Sequence, residues 1–308
     1  MGWRGDERGR KCGSRVRNPD DVSVKPPPFK YARPESLDEV LRILSEYNGE
    51  ARVLAGGQSL IPLLNFRLAR PQVLVDIALV RELRQLEVER GVLRVGAAVT
   101  QNTVERSSDV ARLCPLLTKA LPFVGHVQNR VRGTVVGSIA HADPAAEMPA
   151  VALALQATMV ARSAAGVRKI PADQFFLGPF TTALKPDEML VEVRFPTSRK
   201  TRAAVTEVAP RSGDFAVAGV AGKLVTTRAG KARDVALALF GVGGSPQRLH
   251  DVEARLAGQR ITGDLLDQVA ALASHNARAD SEDVHADAGY RAHVSGVLVR
   301  RAVEEMTR

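Results

Sequence analysis

Residues 54–62 read Leu-Ala-Gly-Gly-Gln-Ser-Leu-Ile-Pro, after the strand-like Ala51-Arg52-Val53 and before the run from Leu63 to Pro71. Two adjacent glycines, an amide and a hydroxyl interrupt what otherwise reads as a buried strand. A strand ending this way lets backbone N–H groups close on an anion, most often a phosphate. Gly56, Gly57, Gln58 and Ser59 form such a candidate nest, and the competing reading of one loop alone is a tight turn without a ligand. A second stretch, Arg132 to Glu147, again places small residues (Gly133, Thr134, Gly137 and Ser138) in a loop ahead of a helix. Two such loops can clasp the diphosphate of a dinucleotide from both sides. Neither follows G-x-G-x-x-G after a first strand, and neither is followed by Gly-Lys-Ser/Thr, so no Rossmann or P-loop site is indicated.

Around these loops the chain divides into units. Leu37, Val40, Leu41, Ile43 and Leu44 mark one helical face behind an N-cap at Ser36, and 51–57 and 71–77 read as strands, giving a small α/β unit over 28–82. A second unit spans 83–200. It holds a strand ending at Thr100, helices through Val124, a helix capped by Asp143 with Pro144 in its first turn, a hairpin at Ala164-Ala165-Gly166, and a closing strand at 189–196. From 203 to 308, antiparallel strands at 214–227 and 234–242 precede three helices, the last carrying Tyr290, Val294, Val297 and Leu298 on one face. Strands followed by helices read as an α+β unit.

Composition excludes several classes. With 308 residues and 45% hydrophobic residues the chain builds ordinary cores, mainly of Ala, Val and Leu because aromatics are only 4%. The net charge of +9 is not a nucleic-acid footprint: residues 1–30 hold eight basic against four acidic residues, so +4 lies in one stretch. The remainder is spread without aromatic interleaving. Residues 1–27, rich in Gly, Arg and Pro, read as a disordered basic tail. Cys12 and Cys114 are the two cysteines. They cannot supply the four thiolates of an iron–sulfur cluster, nor a disulfide framework. No run reaches membrane-spanning length and no apolar segment follows the charged N-terminus, so a cytoplasmic protein without a membrane span is expected.

The runs 55–77 and 133–150 closely resemble the FAD-binding, or medium, subunit of molybdenum hydroxylases, such as the flavoprotein subunits of aerobic carbon monoxide dehydrogenase and bacterial xanthine dehydrogenase. The resemblance extends from about Phe29 through 211–221 to 289–303, nearly everything but the tail. It implies an α+β protein overall: two α/β subdomains forming a PCMH-type FAD-binding domain, then a C-terminal α+β domain with a small antiparallel sheet and helices. It also implies a dimer of heterotrimers, in which a large subunit carries molybdopterin and a small subunit carries two [2Fe-2S] clusters. This chain would pass electrons from those clusters through FAD to NAD, a quinone or oxygen, its chemistry being the cofactor's. The alternative is a degenerate scaffold subunit that has lost FAD; a self-contained flavin oxidase ranks lower, because no acid–base constellation for a substrate is visible.

Carried over position by position, Ala55, Gly56, Gly57, Gln58 and Ser59 match the first FAD loop, flanked by Leu54, Leu60 and Ile61. Thr134, Gly137 and Ser138 match the second. Glu147 falls where the family carries an acidic residue that binds FAD, and Leu190 where an apolar residue packs against the flavin end. His141 and Asp143 are read as shaping the loop and capping a helix, with no catalytic role. Three departures stand out. Val136 replaces the first glycine of the usual Thr-aliphatic-Gly-Gly-Ser; were that backbone left-handed, the valine would cost ~1–3 kcal/mol. Arg130 and Val131 depart from the usual run before Gly133. Glu207 stands where the family often has Lys, either lowering the flavin's potential or facing solvent. The Gly-rich 240–246 reads as a structural turn.

Overall fold

A computed structural model describes residues 25–279 and 284–308. The tail expected over 1–27 lies, through residue 24, outside the described residues, as does Cys12. The first unit is a three-stranded parallel sheet, in the order β1 (Lys30–Ala32), β3 (Val73–Asp76), β2 (Ala51–Leu54), with α1 (Leu37–Tyr47) and α2 (Leu60–Asn65) as its helices. Helix α1 starts where expected: the Ser36 hydroxyl accepts from the Glu39 N–H at 3.3 Å, and Asp38 and Glu39 face the positive end of the dipole. Its predicted apolar face, Leu37 to Leu44, is the buried one.

The second unit is an antiparallel sheet ordered β4 (Leu86–Glu89), β5 (Val92–Gly96), β10 (Met189–Pro196), β6 (Thr158–Ser163), β7 (Gly166–Pro171). Between β5 and β6 runs a helical string: α3 (Gln101–Glu105), α4 (Ser108–Leu113), α5 (Pro115–Ala120), α6 (Val127–Arg132), α7 (Val135–His141) and α8 (Glu147–Ala154). A small hairpin, β8 (Phe176–Gly178) with β9 (Thr181–Thr182), follows β7.

The C-terminal unit is a second antiparallel sheet, β11 (Arg202–Val208), β12 (Ala218–Thr226), β13 (Ala232–Phe240), β14 (Gln247–Arg248), backed by α9 (His250–Leu256), α10 (Gly263–Asn276) and α11 (Ala288–Thr307). Its strands alternate between two cores. Ala204, Val220 and Leu239 pack with α9–α11, whereas Ala203, Val205, Ala221 and Phe240 join the core of the preceding units. This sheet therefore lies between α5 and α8 on one side and α11 on the other, and the C-terminal unit shares apolar packing with the units before it.

Several expectations change. The strand read as ending at Thr100 stops at Gly96, and Thr100 instead caps α3, its hydroxyl accepting from the Thr103 N–H. Asp143 caps no helix: it accepts from the Ala145 N–H at 2.9 Å in a local turn, and α8 begins only at Glu147 behind Ala146. Val136 is not left-handed; it sits in α7, 1% exposed, so the anticipated backbone cost does not arise. On α11 the buried stripe runs through Arg291, Val294, Leu298, Ala302 and Met306, leaving Tyr290 and Val297 at 47% and 36% exposure. The stripe is centred to one side of the face predicted from Tyr290 and Val297, because the small and apolar residues at 299, 302 and 303 draw that side onto the sheet.

Candidate functional site

The first loop begins where β2 ends. Leu54 pairs with Asp76 of β3, and its carbonyl accepts from the Ile77 N–H at 3.1 Å. Gly57 then takes φ +75°, a conformation that L side chains resist, and turns the chain into α2. The Ile61 N–H closes on the Gly57 carbonyl at 3.0 Å. Among the described residues, no protein acceptor receives the N–H groups of Ala55, Gly56, Gly57, Gln58, Ser59 or Leu60. Backbone donors left this way look for an anion or water.

The predicted second loop is largely helix. Thr134 caps α7, its hydroxyl accepting from the Gly137 N–H at 2.9 Å, and the Ser138 N–H bonds the Thr134 carbonyl at 3.1 Å. Thr134 and Gly137 therefore spend part of their bonding capacity holding α7 in place. The two loops are in contact. A Cβ on Gly56 would lie 2.2 Å from the Arg132 carbonyl oxygen and 2.6 Å from the Gly133 Cα, and one on Gly137 would lie 3.7 Å from the Ala55 Cβ. Bare backbone at Gly56 is thus a packing requirement between strand end and helix junction.

Over this contact opens a cleft of ≈ 410 Å³ lined by Leu54, Ala55, Gly56, Gly57, Gln58 and Ile61 from the first loop, with Asp76, Asn129 and Arg132 among its other walls. Sequence reasoning missed Asn129 and Arg132. Asn129 accepts the His126 N–H at 3.0 Å and donates to the Gln58 side chain at 3.1 Å, tying α6 to the first loop. Arg132 lines the cleft beside these orphan N–H groups, its backbone carbonyl packed against Gly56. The only sequence signal was the pair of arginines closing α6, and nothing local connects them to residues some 71 positions earlier. Asp76 is held by the Tyr31 hydroxyl at 2.5 Å and the Ala78 N–H at 2.8 Å. Arg130, flagged as a departure, points inward instead: its guanidinium pairs with Glu105 at 2.8 Å and donates to the carbonyls of Val124 and Gly125. It braces α6 against α3.

The remaining predicted residues lie elsewhere. Leu190 is 3% exposed in β10, opposite Ala161, within the core rather than in the cleft. Glu147 is 6% exposed at the start of α8, where burial, with lesser contributions from Glu207 and Asp143, pushes its carboxyl up to about 8. Glu207 does not face solvent freely; burial raises it to about 7, and its Oε2 is enclosed without a hydrogen-bond partner among the described residues. His141 packs against Phe180 with ring centroids 5.2 Å apart and planes tilted by 47°, and burial lowers its basicity. Gly241, in the Gly-rich turn, takes φ +72° and donates to the Pro144 carbonyl, a structural use.

Successive unused N–H groups and a cleft beside a helix start, with Arg132 among its lining residues, match the negative, extended diphosphate of a dinucleotide, and so the donor set fits FAD. The fold and site define a two-domain FAD-binding flavoprotein. Residues 27–198 match the family described as FAD binding domain in molybdopterin dehydrogenase, and 203–306 match the CO dehydrogenase flavoprotein C-terminal domain. Caffeine dehydrogenase subunit beta of Pseudomonas sp. (strain CBB1) is 41% identical over 244 residues, 79% of this chain and 82% of that protein. The carbon monoxide dehydrogenase medium chain of Hydrogenophaga pseudoflava is 35% identical over 280 residues, 90% and 96% of the two chains. The solved carbon monoxide dehydrogenase from Hydrogenophaga pseudoflava superposes with a TM-score of 0.88 at 34% identity, covering 91% of this chain and 98% of that one. Quinoline 2-oxidoreductase from Pseudomonas putida 86 does so with 0.87 at 36% identity, covering 92% and 98%. The chain belongs to the FAD-binding medium-subunit family of carbon monoxide dehydrogenase and xanthine dehydrogenase type molybdenum hydroxylases, and is an oxidoreductase subunit. Among the described residues no helix is long and apolar enough to cross a membrane.

Proposed function

We propose that this chain is the electron-transfer flavoprotein subunit of a heterotrimeric molybdenum hydroxylase. It receives electrons from the [2Fe-2S] clusters of a small partner subunit, which drew them from a molybdopterin-bearing large subunit. It hands them on to an external acceptor such as NAD, a quinone or oxygen. FAD supplies the redox chemistry; the protein binds, orients and shields it. Residues 28–82 and 83–200 form the two halves of the cofactor domain, and 203–308 the C-terminal domain. Relatives support the complex: the similar proteins from Hydrogenophaga pseudoflava and Paenarthrobacter nicotinovorans are a medium chain of carbon monoxide dehydrogenase and a medium subunit of nicotine 6-hydroxylase. By analogy the assembly is a dimer of heterotrimers in the cytoplasm.

The observation that carries this reading is the run of N–H groups from Ala55 to Leu60 that find no protein acceptor among the described residues, those of Ala55 to Gln58 belonging to residues that line an open cleft. Gly56, Gly57, Gln58 and Ser59 hold the diphosphate with Arg132, and Thr134, Gly137 and Ser138 support it from α7. Leu54 and Leu60 flank the loop. Glu147 and Leu190 shape the far end of the site. A visible absorption spectrum of the chain purified with its partners, followed by heat release and identification of the flavin, tests it. About one FAD per chain is expected, reducible when the complex turns over. A colourless protein that also refuses added FAD in the presence of its partners overturns the reading in favour of a scaffold.

A further inference from the structure

One acidic side chain stands in the wall of a cleft otherwise suited to an anion. Asp76 closes β3, where it is the register partner of Leu54 at the end of β2. Register partners point to the same face of a sheet, and Leu54 and Asp76 both line the cleft. The opposite face of β3 carries Val73 and Val75, which join α1 in the core. Tyr31 of β1 pairs with Leu74, two residues from Asp76 and on the same side of the pleat. Its hydroxyl donates to the Asp76 Oδ2 at 2.5 Å, and the Ala78 N–H donates to Oδ1 at 2.8 Å. The Arg33 Nε stands 3.7 Å from Oδ2, a charge contact beyond hydrogen-bond length.

A neutral donor thus grips each oxygen, and the carboxylate cannot swing away without losing one of them. A carboxylate offers about four lone-pair sites, so each oxygen keeps an acceptor position beyond the one already used. Among the described residues no further hydrogen bond reaches either oxygen. The side chain is 13% exposed, and the cleft is the space it borders. A fixed negative charge repels a diphosphate, which therefore belongs against the N–H groups of the first loop. What sits against Asp76 must be neutral and must donate. In a dinucleotide the group beside the diphosphate that meets both conditions is a sugar diol, whose two adjacent hydroxyls suit the two oxygens of one carboxylate.

We propose that Asp76 is a specificity-determining residue of the cleft, its two oxygens accepting from the adjacent hydroxyls of the adenosine ribose. Tyr31 is the positioning residue that holds the carboxylate toward them. The inference rests on the FAD reading and deepens it. The ribose of the adenosine half is assigned, rather than the ribityl chain, because β2, β3 and the first loop belong to one subdomain. Leu190, at the flavin end of the proposed site, belongs to the other. Asp76 thereby fixes which way the cofactor lies: the loop takes the diphosphate, the carboxylate takes the sugar behind it, and the flavin is left to extend toward the second subdomain.

Calorimetric titration of the full chain, stripped of flavin, with ADP and with dideoxy-ADP, which lacks both ribose hydroxyls, tests the contact; uptake of FAD is measured on the same sample. ADP is expected to bind at least about tenfold more tightly than its dideoxy analogue, the scale of a hydrogen bond to a charged group. Asp76→Asn is expected to lose most of that ratio while binding dideoxy-ADP as well as the parent or better, because the charge facing the diphosphate has gone. A merely structural role would weaken both ligands alike. Tyr31→Phe keeps the carboxylate without its brace and is expected to narrow the ratio by less. A parent chain that takes up FAD yet holds ADP no better than dideoxy-ADP overturns the contact, and that comparison needs no variant to fold. An Asp76→Asn protein with the full ratio overturns it as well. If Asp76→Asn instead weakens FMN and leaves the ADP ratio intact, the ribityl hydroxyls are the partner and the ribose assignment falls. A parent that takes up no FAD, alone or with its partner subunits, defeats the FAD reading itself and the inference with it.

Discussion

Replacing Gly56 by alanine adds a single methyl group at the point where the two halves of the site touch. The added Cβ would lie 2.2 Å from the Arg132 carbonyl oxygen, 2.6 Å from the Gly133 Cα and 2.8 Å from the Arg132 carbonyl carbon. Ordinary contact begins near 3.4 Å, so about 1.2 Å of separation is missing, and all three obstacles are backbone. No side-chain rotation relieves them. The strand end must back away from the α6–α7 junction, which costs about 1–3 kcal/mol as overpacking. The same movement carries the orphan N–H groups of residues 55–60 away from Arg132, so retention of FAD falls more steeply than stability. Gly57→Ala separates the two effects: its Cβ meets only the flexible side chains of Ile61 and Leu54 at 3.2 Å, but φ +75° costs about 1–2 kcal/mol. Gly263→Ala, with nothing within 4 Å, is the control. The assay is flavin per chain after gel filtration, with the melting temperature measured in parallel. Gly56→Ala is expected to emerge nearly colourless and several degrees less stable, and Gly263→Ala unchanged in flavin. A Gly56→Ala protein with full flavin and an unchanged melting temperature would refute the claim that contact between the loops aims the N–H groups.

Arg130→Ala strands Glu105 and two carbonyls in a buried place, and is expected to cost about 3–5 kcal/mol by chemical denaturation, with loss of flavin following because α6 carries Asn129 and Arg132. Thr134→Val keeps the shape of the α7 cap but removes its oxygen, leaving the Gly137 N–H without its acceptor; about 1 kcal/mol and a melting temperature lower by roughly 2–3 °C are expected. Stability also depends on pH through the buried carboxyls. Glu147 and Glu207 titrate near 8 and 7 in the folded chain against 4.5 unperturbed, so the folded state holds protons that the unfolded chain releases. Their contribution is complete below about pH 4.5 and is lost as pH rises through 7 to 8. Glu147→Gln is expected to reduce that loss by an amount on the order of 2–4 kcal/mol, read from urea midpoints at pH 5 and pH 9; equal slopes in variant and parent would contradict it.

Much of this protein can be read along the chain. The face of α1, its cap at Ser36, the hairpin at 164–166 and the strand at 189–196 depend on periodicity and turn chemistry, which act over a few residues. The glycines of the first loop were legible for the same reason: no other residue takes φ +75° readily or yields so much backbone. Asp143 misled because Asp-Pro is equally good as a helix start and as a local turn, and only the position of α8 against β12 and β13 settles which forms. Tertiary packing alone decided the rest. It set Asn129 against Gln58, brought Arg132 to the cleft and turned Arg130 into a brace, pairings across long sequence separations that no local propensity encodes. It also determined that Val136 lies in an ordinary helix and that Glu147 is buried at the start of α8. A sequence specifies which groups a chain can present; the folded contacts specify their distances, and charge, desolvation and hydrogen bonding act through distance.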